Sequence, residues 1–199
     1  RNLPQGSSST IKLVYHIEKE QLIVLKMSDQ SNIKQFEREE KNYLIFHHPF
    51  LPKYFGSNIN KSDHYLFVEY IDGYSLSDIK KLNATLNEKM KFIFELMIIL
   101  DYFHQNNHIY RDLKPNNIFV NKNRVLMLID LDRLVLNDKK LTSCEETMIF
   151  IDLLAPEINL GKNFSFETDI YSLGIIIYYI FFEKMLIKRT KNDYFEYNL

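Results

Sequence analysis

The order of strand-like and helix-like segments constrains the fold of this chain more than any other feature. Residues 11–27 are typical of two apolar, β-branched strands around a short polar turn, and residues 65–71 form another apolar strand. That strand ends at Asp72-Gly73, a turn signal. Strands first and helices afterwards favour an α+β architecture built from two lobes.

Three helices are predicted from apolar spacing and end signals. The first covers residues 31–47 and stops at His48-Pro49, the second runs from an Asn87 cap to about Asn106, and the third covers residues 169–182. The apolar run Tyr171 to Phe182 is too short to span a bilayer, so we interpret it as a buried helix and expect no membrane association. We predict one domain over residues 1–199, divided into a small lobe (1–71) and a larger, mainly helical lobe (72–199).

Composition excludes several classes of protein. The 199 residues are 46% hydrophobic, enough for a sizeable core, and 25 basic against 26 acidic residues argue against a nucleic-acid partner. The lone Cys144 cannot form an internal disulfide, and residues 1–10 are polar rather than a signal peptide. We therefore expect an intracellular, cytoplasmic protein.

The most specific stretch of the chain is Tyr110-Arg111-Asp112-Leu113-Lys114-Pro115-Asn116-Asn117. It combines an acid that can accept a proton, a lysine that can neutralise negative charge, and an asparagine that can hold a metal ion. Eighteen residues after Asp112, Asp130-Leu131-Asp132 ends an apolar strand that begins at Val125. A surface loop would seldom carry these residues at this spacing by chance.

These segments resemble the catalytic loop and the D-F-G metal site of eukaryotic-type serine/threonine protein kinases. The resemblance implies a two-lobed protein-kinase-like fold, with ATP and Mg²⁺ as cofactors and a protein Ser/Thr hydroxyl as the phosphate acceptor. It implies that Asp112 is the catalytic base, that Lys114 neutralises the transferring phosphoryl group, and that Asn117 and Asp130 bind the metal.

Upstream, Val24-Leu25-Lys26 resembles the family's A-x-K strand, whose lysine contacts the α- and β-phosphates. That lysine pairs with a glutamate on the following helix. Glu39 is the better candidate by its distance to His48-Pro49, but its neighbour Glu40 leaves the register open.

The remaining nucleotide contacts follow from the same resemblance. Gly6 is the one glycine kept in the phosphate-covering loop, Ile11 and Val24 would cover the adenine, and Phe119 would form the apolar floor. The Glu69 carbonyl and the Ile71 N–H would pair with adenine, behind a small Val68 gatekeeper. Core strands carry similar apolar residues, so for these positions a purely structural role is the alternative.

Later landmarks also fit the family. Ala155-Pro156-Glu157 resembles the end of the activation segment, and Asp169 stands where the family's aspartate accepts hydrogen bonds from the catalytic-loop backbone. An N-cap role for Asp169 is the simpler alternative. Arg111 would pair with a phosphate if Thr142, Ser143 or Thr147 were phosphorylated.

The chain departs from the family in ways that keep other functions open. Asp132 replaces a glycine, Phe150 replaces a threonine near the substrate surface, and the family's later helices are missing. We expect a partner or further chain to cover the helix at 169–182. Two alternatives to a kinase remain: a pseudokinase acting as a nucleotide-binding or scaffolding module, and a small-molecule phosphotransferase of the aminoglycoside-kinase type.

Overall fold

The computed structural model describes residues 10–28, 33–60, 63–138, 155–159, 163–189 and 195–197. These residues divide into two compact units, the first comprising the chain up to Asp72 together with Ile129–Arg133, and the second Gly73–Leu128 with Leu134 onward. The return of Ile129–Arg133 to the first unit brings Asp130 to the same unit as Lys26. The predicted division into residues 1–71 and 72–199 did not include this exchange, because it placed residues 129–133 in the larger lobe.

The first unit is built on a four-stranded antiparallel sheet. Its strands are β1 (Thr10–His16), β2 (Gln21–Met27), β3 (Tyr54–Asn60) and β4 (Asp63–Glu69), in the order β1-β2-β4-β3. The two strands predicted within 11–27 are confirmed, and so is the strand predicted at 65–71, which begins and ends two residues earlier. The strand β3 was not predicted.

A single helix, α1 (Ile33–Ile45), completes the described part of this unit. Phe36 and Tyr43 are buried as its spacing predicted, and Phe46 is buried just beyond its end. Leu44 is 61% exposed, because the buried face of α1 consists of Phe36, Glu39, Asn42 and Tyr43.

The second unit begins with a small sheet and a short helix. The strands β5 (Gly73–Ser75), β7 (Ile118–Asn121) and β8 (Leu126–Leu128) form one antiparallel sheet, while β6 (His108–Ile109) pairs with β9 (Val135–Leu136). The helix α2 covers Ile79–Leu82. The hairpin of β7 and β8 follows the catalytic-loop motif directly, because β7 begins at Ile118, the residue after Asn117.

The core of this unit lies along the helix α3 (Leu86–Gln105), which buries Phe92, Leu96, Ile99, Leu100 and Phe103. The cap is Thr85, not Asn87, because Thr85 and Glu88 form a reciprocal capping box. The apolar residues of this helix extend beyond its buried face, since Met90, Phe94, Met97 and Ile98 are exposed.

The last helix of length is α5 (Phe166–Phe182), preceded by the short α4 (Pro156–Asn159). Ser165 caps α5, so the alternative of Asp169 as the N-cap is wrong. Beyond α5, β10 (Ile187–Arg189) pairs with β11 (Phe195–Tyr197).

Candidate active site

In the first unit, Lys26 contacts two carboxylates. Its Nζ lies 2.5 Å from Glu39 Oε1 and 3.1 Å from Asp130 Oδ1. Lys26 stands on β2, an inner strand paired with β1 and β4, and it is only 7% exposed. Because an isolated buried ammonium is costly, this position is stable only with such partners.

The electrostatics of this group hold the lysine in its charged form. Burial lowers the pKa of Lys26, but the carboxylates of Asp130 and Glu39 outweigh it, so its pKa lies well above the ordinary value. Burial raises the pKa of Glu39, and the charge of Lys26 offsets only part of that effect. A buried lysine that stays charged is suited to bind a phosphate group.

The structure decides which glutamate pairs with Lys26. Glu39 is 2% exposed and contacts the lysine, whereas the neighbouring Glu40 turns to other groups. Its carboxylate accepts hydrogen bonds from the hydroxyls of Tyr54 and Ser57 and lies 2.9 Å from His64 Nε2. Successive helical residues point about 100° apart, so the two carboxylates reach different strands.

Asp130 adopts a left-handed backbone conformation, with φ of 69°. Aspartate tolerates this region better than most residues. Leu131 follows it and is fully buried, as expected of an apolar plug beside the aspartate. The unusual backbone angle and the Lys26 contact occur at one residue, which is typical of functional sites.

In the second unit, Asp112 forms the centre of the catalytic-loop motif. Lys114 Nζ lies 3.0 Å from its Oδ1 and 2.8 Å from its Oδ2. The Nδ2 of Asn117 donates to the Asp112 carbonyl at 3.0 Å and to its Oδ2 at 2.8 Å. The motif residues that the sequence singled out here therefore contact one another, with the Asp112 carboxylate as their shared partner.

Asp169 holds the backbone of this loop. It is 1% exposed and accepts hydrogen bonds from the N–H of Tyr110 at 2.8 Å and of Arg111 at 2.9 Å. Arg111 is itself in a left-handed conformation, with φ of 68°. The predicted contact of Asp169 with the catalytic-loop backbone is confirmed.

Sequence reasoning missed one partner of this aspartate. His104, in the last turn of α3, places its Nε2 2.9 Å from Asp169 Oδ2. A single histidine at the end of a helix carries no recognisable signal in one sequence, because only the packing of α3 beside α5 brings it to Asp169.

Each unit, taken by itself, offers a donor group of the kind that a magnesium ion prefers. Mg²⁺ prefers carboxylate and amide oxygens, and Asp130 supplies a carboxylate that is about one-third exposed. The Nδ2 of Asn117 is committed to Asp112, which leaves its Oδ1 as the group suited to a hard cation. The roles of Asp130 and Asn117 as ligands stay predictions.

Four of the predicted adenine contacts lie on strands, namely Ile11, Val24, Glu69 and Phe119. Ile11 on β1 pairs with Lys26, Val24 on β2 pairs with Val68, and Phe119 lies on β7. Ile71 is buried. The Glu69 N–H donates to the Lys53 carbonyl, and the Glu69 carbonyl is the group predicted to contact adenine. Gly6, Thr142, Ser143, Cys144, Thr147 and Phe150 lie outside the described residues.

Comparison with known proteins decides the family. A model of the protein kinase domain matches residues 1–198. The chain belongs to the protein kinase family. The predicted α+β kinase fold is thereby confirmed, and the aminoglycoside-kinase alternative has no support from this match.

Curated kinases resemble the chain over most of its length. An Aurora kinase of Saccharomyces cerevisiae is 27% identical over 189 residues, which are 89% of this chain and 50% of that protein. Dual specificity mitogen-activated protein kinase kinase 1 of Dictyostelium discoideum is 29% identical, over 89% of this chain and 28% of its own length. CBL-interacting protein kinase 21 of Oryza sativa subsp. japonica is 28% identical, over 89% and 36%. The chain spans half or less of the length of these kinases.

Membrane association was not expected from the sequence. Among the helices of the described residues, none has both the length and the apolar character that crossing a bilayer requires.

Proposed function

We propose that this kinase domain transfers the γ-phosphoryl group of Mg·ATP to serine or threonine hydroxyls of a protein. The observation that carries the proposal is the arrangement around Asp112, whose carboxylate is oriented by Lys114 and Asn117 on a backbone fixed by Asp169. Serine/threonine specificity rests on Lys114 in the catalytic-loop motif and on the likeness to relatives such as CBL-interacting serine/threonine-protein kinase 8 of Arabidopsis thaliana.

In this proposal the protein contributes charge and position. Lys26, kept protonated by Glu39 and Asp130, would bind the α- and β-phosphates. The Asp112 carboxylate would accept the proton of the attacking hydroxyl, and the ammonium of Lys114 would offset negative charge on the transferring group. Magnesium, when bound, neutralises phosphate charge, and Asp130 and Asn117 are its proposed ligands.

The proposal is tested by incubating the protein with γ-labelled Mg·ATP and a generic basic protein. Phosphoserine and phosphothreonine should dominate the labelled amino acids. Phosphotyrosine as the main product would overturn the assigned specificity. Nucleotide binding with no labelled protein would favour the pseudokinase alternative, for which the replacement of glycine by Asp132 is the specific observation.

A further inference from the structure

The buried face of α1 carries a polar side chain that the proposed mechanism does not use. Asn42 is 4% exposed and lies among apolar neighbours such as Phe36 and Tyr43 on the same helix face. A buried amide is costly unless it is hydrogen-bonded. Its Nδ2 donates to the backbone carbonyl of Leu131 at 2.7 Å.

The same helix face also carries Glu39, the partner of Lys26. Glu39 and Asn42 are three residues apart, so they share one face of the helix. The backbone of Leu131 is one of the groups that lower the pKa of Glu39. One face of α1 therefore meets both Lys26 and the residue that follows Asp130.

This contact occurs directly after Asp130, the proposed metal ligand. Asp130 has a positive φ and contacts Lys26 at 3.1 Å. A residue in a sparsely populated backbone conformation keeps it only when its surroundings hold it. The next residue, Leu131, is the nearest place to hold it, and Asn42 does so from α1.

We propose that Asn42 is a positioning residue for the magnesium site, acting through the Leu131 carbonyl on Asp130. This inference rests on the proposed function, because it assumes that Asp130 binds the metal. Asn42 contacts neither nucleotide nor metal in this account. Its effect is to fix Leu131, the residue next to the ligand, and it links the placement of α1 to that of Asp130.

The effect should fall on the metal rather than on the nucleotide. Residues that orient a metal ligand typically contribute 10- to 100-fold to metal affinity. Loss of the Asn42 hydrogen bond should therefore weaken Mg²⁺ binding, while contacts to the base and sugar stay the same. If Asn42 had only a structural role, its replacement would weaken Mg²⁺ binding and nucleotide binding alike.

The test uses Asn42→Leu, which keeps the size of the side chain and removes its donor. Binding of a fluorescent ADP analogue is followed by anisotropy at 25 °C, first with EDTA and then with increasing Mg²⁺. The variant should need about 10-fold or more Mg²⁺ for half-saturation, with metal-free binding within about 2-fold of wild type. If Asn42→Leu does not fold, Asn42→Ala is measured in the same way.

The matched control is Asn106→Leu. Asn106 also donates its Nδ2 to a backbone carbonyl, that of Tyr102 at 2.8 Å, but at the exposed end of α3. Its Mg²⁺ half-saturation should equal that of wild type. Equal Mg²⁺ dependence in wild type and the Asn42 variant would overturn this inference alone, whereas a wild type that binds no nucleotide would overturn the proposed function and this inference with it.

Discussion

Individual residues of the candidate site were predicted where a dense motif constrained them. Asp112, Lys114 and Asn117 lie within six residues, so one motif was enough to name all three. The choice between Glu39 and Glu40 was not settled, because both stand on the same helix and differ by one position. Tertiary contacts decide it, since Lys26 meets Glu39 while Tyr54 and Ser57 meet Glu40.

This assignment predicts unequal costs for two matched substitutions. Glu39→Gln leaves the buried Lys26 with Asp130 alone, so it should destabilise the fold by up to about 3–5 kcal/mol. Glu40→Gln keeps an oxygen that the Tyr54 and Ser57 hydroxyls can bind, and it should cost about 1 kcal/mol. Urea unfolding of both variants measures the difference, and a larger loss for Glu40→Gln would contradict the assignment.

A second residue-scale prediction concerns acid stability. Glu88 accepts a hydrogen bond from Arg124 Nε at 2.5 Å, and this bond, with those from Thr85, lowers the pKa of Glu88 to about 2. A lowered folded-state pKa stabilises the fold above the unfolded pKa of about 4.3 and loses this contribution as the pH falls through about 2. The difference in unfolding free energy between wild type and Glu88→Gln should thus be constant above pH 5 and shrink towards pH 2.

The control for this prediction is Glu18→Gln, at an exposed glutamate in the turn between β1 and β2. Its difference from wild type should stay small throughout the same series of urea titrations. A Glu88→Gln difference that grows on acidification would show that the carboxylate does not stabilise the fold.

The helices and strands whose apolar residues recur at a regular spacing were predicted, and those with irregular spacing were not. The strands β1, β2 and β4 and the helices α1, α3 and α5 follow from apolar spacing. The strand β3 was missed because Gly, Ser and Asn dilute its pattern and its register shifts between Tyr54 and Gly56, where Gly56 has φ of 130°. The helix caps depend on side-chain contacts that spacing does not contain.

Alanine substitutions at two glycines are predicted to change the stability of the fold in opposite directions. A Cβ on Gly73 would lie 2.0 Å from the Val120 carbonyl oxygen, so β5 pairs with β7 only because this position is glycine. Gly73→Ala should destabilise the fold by about 1–3 kcal/mol. A Cβ on Gly174, within α5, meets nothing among the described atoms within 4 Å, and Gly174→Ala should stabilise by about 0.5–1 kcal/mol.

Thermal unfolding of the two alanine variants checks this pair. Gly73→Ala should melt below wild type and Gly174→Ala above it. A stable Gly73→Ala protein would mean that β5 does not approach β7 as closely as the structure shows.

For the whole molecule, the sequence predicted the kinase fold but misjudged how α5 is covered. The expectation that a partner or further chain covers this helix is wrong for Leu173, Ile175, Ile176 and Ile180, which are already buried. Met185 and Leu186 pack against Ile175, and α3 packs beside α5. Ile170 and Phe182 are exposed and Ile177, Tyr178 and Phe181 are half-buried, so for these residues the expectation stays a prediction.

The difference arises because helical spacing describes one element at a time. It shows that α5 is apolar on all sides, which favours burial. It does not show that the residues after the helix fold back over it. The catalytic-loop part of the prediction did not depend on such packing, since Asp112, Lys114 and Asn117 lie close along the chain.

The most direct test of the central claim is phosphoryl transfer by Asp112→Asn. The substitution keeps the shape of the side chain, and Asp112 is proposed to act on the hydroxyl proton rather than on nucleotide binding. Transfer from labelled Mg·ATP to a protein acceptor should fall by about 100-fold or more, while the affinity for Mg·ATP stays within about 2-fold. Equal transfer by the variant and the wild type would contradict the account.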